Sequence, residues 1–554
     1  MSIVIITTLI YLVVVAFLGF LGYKHTKDSN DYMIGGRKIH PMVMALSYGA
    51  TFISTSAIVG FGGAAGVFGM GLLWLTFLNI FVGIFVAFAL LGKRTRKMGH
   101  NLNAHTFPEL LAIRFQSKFI QKFAGAIIFL FMPLYAAAVM IGATHFLATA
   151  FGIDYNTALF FFAVIVAIYV SMGGMKGVMY SDAFQASIMF IGMIILLGFT
   201  YKNLGGVTQA HIRLGEMLNN AEVQKSVGGM VKAGFQGWSA MPKWGSPNWW
   251  TLVSTIVMGV GIGVLAQPQL AVRFMTVKSN RELNRAVPIG GIFILMMTGV
   301  AFIVGALSNV YFFNDPNIGK IALLASGNPP NPDNIIPLFI KTYLPEWFGS
   351  IFLITMLAAG MSTLSSQFHA MGTAIGRDLF YKQNDESNKS VWIAKIGVLF
   401  SILVTTFLAY FLPVYLQGEG KLIIASGTAL FFGLCAASFL PVYIGALYFR
   451  NMPKIAAISG IVSGFVSSIF WMLFVHEAES KKLLLCKLIF GVDTIAQGTI
   501  WRLVDPIFIA LPISIIVTIG MSLLYKCDIP EEHLKSCYQG IEKEAYDKKL
   551  VAEG

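Results

Sequence analysis

Four hydroxyl side chains fall within five consecutive positions, Ser362-Thr363-Leu364-Ser365-Ser366, inside an apolar stretch that runs from Ile351 to Tyr381. At helical spacing Ala359, Ser362, Ser366 and His369 share one stripe, with Ser365 beside it. Hydrocarbon gives such groups no hydrogen-bond partner, so the stripe has to face the protein interior, a hydrated cavity or an ion. A lone serine there would ordinarily serve close packing or bond back to the preceding turn. Four together shift the reading from packing to function.

A second stretch is too polar and too rich in glycine for a plain membrane helix. Ser47-Tyr48-Gly49-Ala50-Thr51-Phe52-Ile53-Ser54-Thr55-Ser56 holds six hydroxyl side chains in ten positions, and Gly60, Gly62, Gly63 and Gly66 follow. Such a helix is expected to break midway, freeing carbonyls on one half and amide N–H groups on the other. Transporters hold cations and anionic solute groups with these ends. Gly259-Val-Gly261-Ile-Gly263 repeats the theme and is expected to weaken a later helix in the same way. Asp182, in Ser181-Asp182-Ala-Phe-Gln185, stands at the edge of another apolar run. It either caps a helix or compensates a charge, and the oxygen-rich stripe favours the latter.

The elements that must position these groups follow from composition. Of 554 residues 56% are hydrophobic and only 12% charged, a balance that excludes an ordinary soluble domain. With about 20 apolar residues needed per crossing, roughly thirteen spans are predicted. They begin near Ser2, Pro41, Leu72, Phe119, Asn156, Asp182, Trp249, Arg285, Phe348, Val391, Lys421, Pro453 and Asp505. The first is expected to be retained rather than cleaved.

The formal charge of +13 does not indicate nucleic acid, because the basic residues sit in loops that alternate with the spans. Lys24, Lys27, Arg37 and Lys38 follow the first span, Lys93, Arg94, Arg96 and Lys97 the third, and Arg273, Lys278, Arg281 and Arg285 the seventh. Arg450 and Lys454 after the eleventh continue the pattern. The positive-inside rule then places the N-terminus outside and the C-terminus in the cytoplasm of a multi-pass cell-membrane protein. No Lys or Arg is expected at the middle of any span. Four cysteines without metal-ligand spacing and scattered histidines predict neither a disulfide framework nor a zinc site. Trp238, Trp244, Trp249 and Trp250 read as an interfacial aromatic belt ahead of the seventh span.

Three segments together carry a resemblance: Tyr169-Val-Ser-Met-Gly-Gly-Met175 with Asp182 and Gln185, Gln267-Pro-Gln-Leu-Ala-Val-Arg-Phe274, and Ala359-Gly-Met-Ser-Thr-Leu-Ser-Ser366. The chain resembles the sodium:solute symporter family over most of its first twelve spans. The resemblance implies an all-α polytopic protein of the leucine-transporter fold, a 5+5 inverted repeat. The repeats would occupy residues 41–204 and 249–447, preceded by 1–40 and separated by an extracellular loop, 205–248. Two further spans (448–526) and a cytoplasmic tail (527–554) would complete the chain.

The same resemblance implies a sodium ion held by the carbonyls of Ala50, Ile53 and Ala359 and the hydroxyls of Ser362 and Thr363. Neutral oxygens suit a small hard cation. A second sodium, or the path of the first, would involve Asp182, Ser365 and Ser366. Proline carriers of the family place aromatic residues where this chain has Val260 and Val264, so the motifs look closer to the pantothenate and monocarboxylate branch. The expected function is sodium-coupled import of a small organic solute, a carboxylate held at Ser54, Thr55 and Ser56 with its aliphatic body against the valines. An amino acid, sugar or sialic acid is the alternative substrate, and a transporter-derived sensor a more distant one. No catalytic constellation converges in the spans, so no enzyme is expected. The expected partners are the solute, one or two sodium ions and the lipid bilayer, with neither nucleic acid nor an obligate protein partner.

Overall fold

The computed structural model describes residues 2–170, 174–380, 387–415 and 422–541; Ser171, Met172 and Gly173 of the first motif and the end of the tail, 542–554, lie outside them. Among the described residues the chain is helical throughout, and its one β contact is an isolated bridge between Ile39 and Val277. Eleven helical stretches among the described residues are long and apolar enough to cross a membrane. Beside them stand the short apolar helix Tyr155–Val170 and the helix Pro41–Phe52, the first half of a divided second span whose second half, Ser56–Gly60 and Phe61–Phe68, opens the long apolar stretch Ser56–Asn101 already among the eleven.

Local chemistry sets where these helices begin. Ser279 and Glu282 form a reciprocal capping box at the start of Asn280–Asn314. Ser117 accepts from Ile120 N at the head of Lys118–Phe151, and Thr106 from Glu109 N at the head of Phe107–Arg114.

The second span breaks where the polar run predicts. Ile53 leaves helical geometry at φ −92°, ψ 103°, after its N–H has closed the first half on Gly49 O. The seventh span breaks too, but not at its glycines. Helix persists through Gly259–Gly263 and Val264–Ala266, and the interruption falls at Gln267 (φ −75°, ψ 117°), immediately before Pro268. The glycines serve approach instead: a Cβ on Gly263 would lie 2.6 Å from Phe432 Cβ in the eleventh span. The two broken spans run in opposite directions, the second starting from the face that carries the basic loops and the seventh from the other. That inversion is what a pair of inverted repeats requires. The second half of span two lies directly on span eight, where a Cβ on Gly305 would meet Gly62 O at 2.0 Å.

Trp238 departs from the expected aromatic belt. It is 1% exposed and its Nε1 donates to Gly66 O at 2.9 Å, whereas Trp244 is 81% exposed. The long loop folds back over the second span because Gly69 leaves room for the Trp238 backbone, whose O a Cβ there would meet at 2.1 Å.

Candidate functional site

Spans two, six and nine pack on one another around the two polar runs. Where the first half of span two ends, Ala50 O accepts from Ser362 Oγ at 3.0 Å and from Thr363 Oγ1 at 3.1 Å. Thr363 also reaches Thr51 O at 3.2 Å, and Ser362 reaches Ala359 O at 3.3 Å. Ile53 stands at the break itself. All six residues are buried. The oxygens of Ala50, Ala359, Ser362 and Thr363 thus converge in one knot of neutral donors and acceptors, with no charged side chain among them.

Toward the basic face lies a second and very different cluster. Asp182 is completely buried. Its Oδ2 accepts from Ser47 at 2.9 Å, Thr51 at 3.3 Å and Ser366 at 3.3 Å, and its Oδ1 accepts from Ser365 at 3.3 Å. Arg273 Nη2 donates to the same Oδ2 at 3.0 Å and to Ser366 Oγ at 2.6 Å. Arg273 Nε donates to Ser47 Oγ at 3.1 Å, and Nη1 to Gln269 O at 2.5 Å.

This corrects the expectation for Arg273, which is a wholly buried side chain rather than a residue of a basic loop. The break at Gln267 is the cause. It turns the chain so that the short helix Pro268–Phe274 tucks beneath the second and ninth spans and aims its arginine inward. Asp182 is no helix cap: it lies well inside the helix Gly174–Asn203 and bonds to three other helices.

The residues expected around the solute gather at the break but are not equivalent. Thr55 Oγ1 donates to Val139 O at 2.5 Å and packs against Gly142 and Gly360, so it ties span two to span four. Ser54 Oγ accepts from Ser56 N at 3.1 Å. The Ser56 hydroxyl is buried without a hydrogen-bond partner. Val264 and Phe52 both pack at Gly83, and Val260 is buried one turn earlier.

Sequence reasoning missed the aromatic wall. The Tyr135 ring lies 5.1 Å from that of Phe432 and 6.1 Å from Phe431, and Phe432 stacks on Phe52 at 6.3 Å. The Ser54 hydroxyl approaches that of Tyr135 without closing a hydrogen bond of standard geometry, leaving the Tyr135 Oη unpartnered and buried. The signal was a hydroxylated aromatic in an otherwise apolar span, two residues after Pro133.

The two ends of this pathway differ. Away from the basic loops, the turn Pro332–Asn334 presses on span two so closely that a Cβ on Gly63 would lie 2.2 Å from Pro332 O. Beside it Asp333 Oδ2 accepts from Ile424 N at 3.4 Å at the start of the eleventh span, and burial pushes its carboxyl up to about 7. On the basic face a small cavity of about 20 Å³ is lined by His105, Thr106 and Asp378 together with Gln269, Arg273 and Ser366, room for about one water. Its rim is held by Arg377 on Glu109 at 2.8 Å and by Thr106 on Asp378 at 2.7 Å. Burial works against the Glu109 charge, but His105 and Arg377 outweigh it and hold the carboxyl down at about 2.

Two oppositely directed broken helices with a neutral oxygen knot at one break define a secondary transporter of the leucine-transporter arrangement. The sodium:solute symporter family model matches residues 32–464, and the chain belongs to that family; sodium is its coupling ion. The chain is 28% identical over 539 residues to a sodium/proline symporter of Staphylococcus aureus, covering 93% of this chain and 92% of the relative. It is 26% identical to the sodium/proline symporter of Escherichia coli, covering 85% and 88%. It is 27% identical to an osmoregulated proline transporter of Bacillus subtilis, covering 85% and 89%. The fold matches that of a solved sodium-coupled sialic acid symporter, with a TM-score of 0.71 at 17% identity over 95% of this chain and 99% of the other.

Proposed function

We propose that this chain couples sodium entry to the uptake of a small carboxylate-bearing solute, with a zwitterionic amino acid favoured over pantothenate or a simple monocarboxylate. The observation that carries the choice is the wall of Phe52, Tyr135, Phe431 and Phe432 beside the break. Ring faces attract a cationic ammonium group, which an amino acid has and a monocarboxylate lacks. The N–H end of the second half-helix, with Ser54 and Ser56, would take the carboxylate. Val260 and Val264 leave space for an aliphatic body. The proline symporters among the relatives support an amino acid, while the valines argue that the solute need not be proline.

Sodium would enter the knot of Ala50, Ile53, Ala359, Ser362 and Thr363, replacing the hydrogen bonds that the two hydroxyls now donate. Thr55 serves the fold rather than the solute in this reading. The repeats would span 41–204 and 249–447, and the face with the basic loops would be cytoplasmic, with the N-terminus outside. Competition in proteoliposomes tests the substrate. Sodium-driven uptake should be inhibited by small neutral amino acids. Inhibition by pantothenate or lactate but by no amino acid would overturn the zwitterion reading.

A further inference from the structure

We infer that Arg273 is a built-in cation that occupies the electrostatic place of a second sodium, so that the transporter binds one sodium ion per cycle. The inference rests on the sodium-coupled reading above and adds its stoichiometry. Asp182, Ser365 and Ser366 have the oxygen types of a second cation site, yet in the folded chain the guanidinium already sits among them. Arg273 Nη2 is 3.0 Å from Asp182 Oδ2 and 2.6 Å from Ser366 Oγ. The Arg273 and Asp182 side chains are 1% and 0% exposed. The pair is therefore neutral overall and shielded from water, where a further unit of positive charge would be left without a counter-ion.

The geometry is also one that an arriving ion would find hard to displace. Three of the four helices forming the cluster are tied through this one side chain: Ser47 of span two, Asp182 of span six and Ser366 of span nine. Its other nitrogen is anchored on its own helix at Gln269 O. Arg273 and Ser366 line the small cavity beside the pair and Asp182 does not, so the guanidinium stands between that cavity and the carboxylate. The knot around Ala50 contains no such resident charge and is the place for the transported ion among the described residues.

Counting ions on the purified full-length protein in lipid nanodiscs, with radioactive sodium, tests this without knowing the solute. The wild type should bind one sodium ion. Arg273→Gln leaves Asp182 buried and uncompensated, and should bind two, with sodium dependence becoming sigmoidal. The neutral double variant Asp182→Asn/Arg273→Gln should return to one ion and remains informative if the single variant does not fold. Two ions in the wild type would overturn the inference, as would a single ion in a monodisperse Arg273→Gln protein. Loss of all sodium binding in the folded double variant would overturn it too, since the pair would then belong to the principal site. Absence of any sodium binding in the wild type would instead overturn the assignment of the oxygen knot.

Discussion

Two clusters of oxygen lie close together on spans two and nine, and they solve the same problem in opposite ways. Around Ala50, Ser362 and Thr363 every group is neutral and the hydroxyls satisfy backbone carbonyls freed by the break. Around Asp182 a full negative charge is buried and balanced by a full positive one from Arg273. Neutral oxygens can release one another for a cation at the modest net cost of hydrogen-bond exchange. A buried ion pair cannot lose a partner without leaving a charge in low dielectric. The first arrangement suits an ion that comes and goes, and the second suits a fixed tie between helices.

The largest expected effect is on stability and separates the clusters directly. Asp182→Asn, which leaves Arg273 buried and unpaired, should cost about 3–5 kcal/mol, read as a fall in thermal stability in detergent. The double variant Asp182→Asn/Arg273→Gln should recover most of that loss. Equal losses in single and double variants would mean that charge balance is not what the pair supplies.

Next come Ser362→Ala and Thr363→Ala, each expected to raise the sodium concentration for half-maximal uptake by roughly 5–30-fold, equivalent to about 1–2 kcal/mol. Rates at saturating sodium should change less, and protein stability should barely change. Unaltered sodium dependence in well-expressed protein would remove these two hydroxyls from the ion site.

A smaller effect is expected at the aromatic wall. Tyr135→Phe keeps the ring and removes the unpartnered hydroxyl, so solute affinity should fall by roughly 2–10-fold, about 0.5–1.5 kcal/mol, with sodium affinity unchanged. A shift in sodium affinity alone would place Tyr135 with the ion rather than the solute.

A separate effect, read in pH rather than in affinity, concerns the two ends of the site, outside the spans, where the comparison repeats in titration. Glu109, held at about 2 by His105 and Arg377 against the effect of burial, contributes stability above the ordinary glutamate range that is lost as pH falls toward 2. Asp333, pushed up to about 7 by burial, does the reverse: its contribution is complete below the ordinary aspartate range and is lost as pH rises through 7. Thermal stability measured against pH should therefore lose its acid-side slope in Glu109→Gln and its slope between about pH 4 and 7 in Asp333→Asn. Unchanged profiles in both variants would show that neither rim group is coupled to folding.

Much of the site was legible because membrane burial makes polarity conspicuous. Ser362, Thr363, Ser365 and Ser366 stood out against an apolar background, and the packing of hydroxyls and glycines after Ser47 marked a helix that would not continue. Span number and the oxygen stripe followed from hydropathy and helical period alone, which depend on nearest neighbours in the chain. Where the seventh span breaks is not legible in the same way: its glycines look like the weak point, but Leu78 and Phe432 pack against Gly261 and Gly263, and Gln267 before Pro268 yields instead. Arg273 was read as a loop residue because distance along the chain from the apolar run was the only guide. Only the fold shows that the break turns it back under spans two, six and nine. The aromatic wall of Phe52, Tyr135, Phe431 and Phe432 comes from three separate spans, and no local pattern links them. Sequence by itself determined which residues could not face lipid; tertiary structure decided which of them face one another, because charge pairing and ring contact depend on distance in space rather than on spacing in the chain.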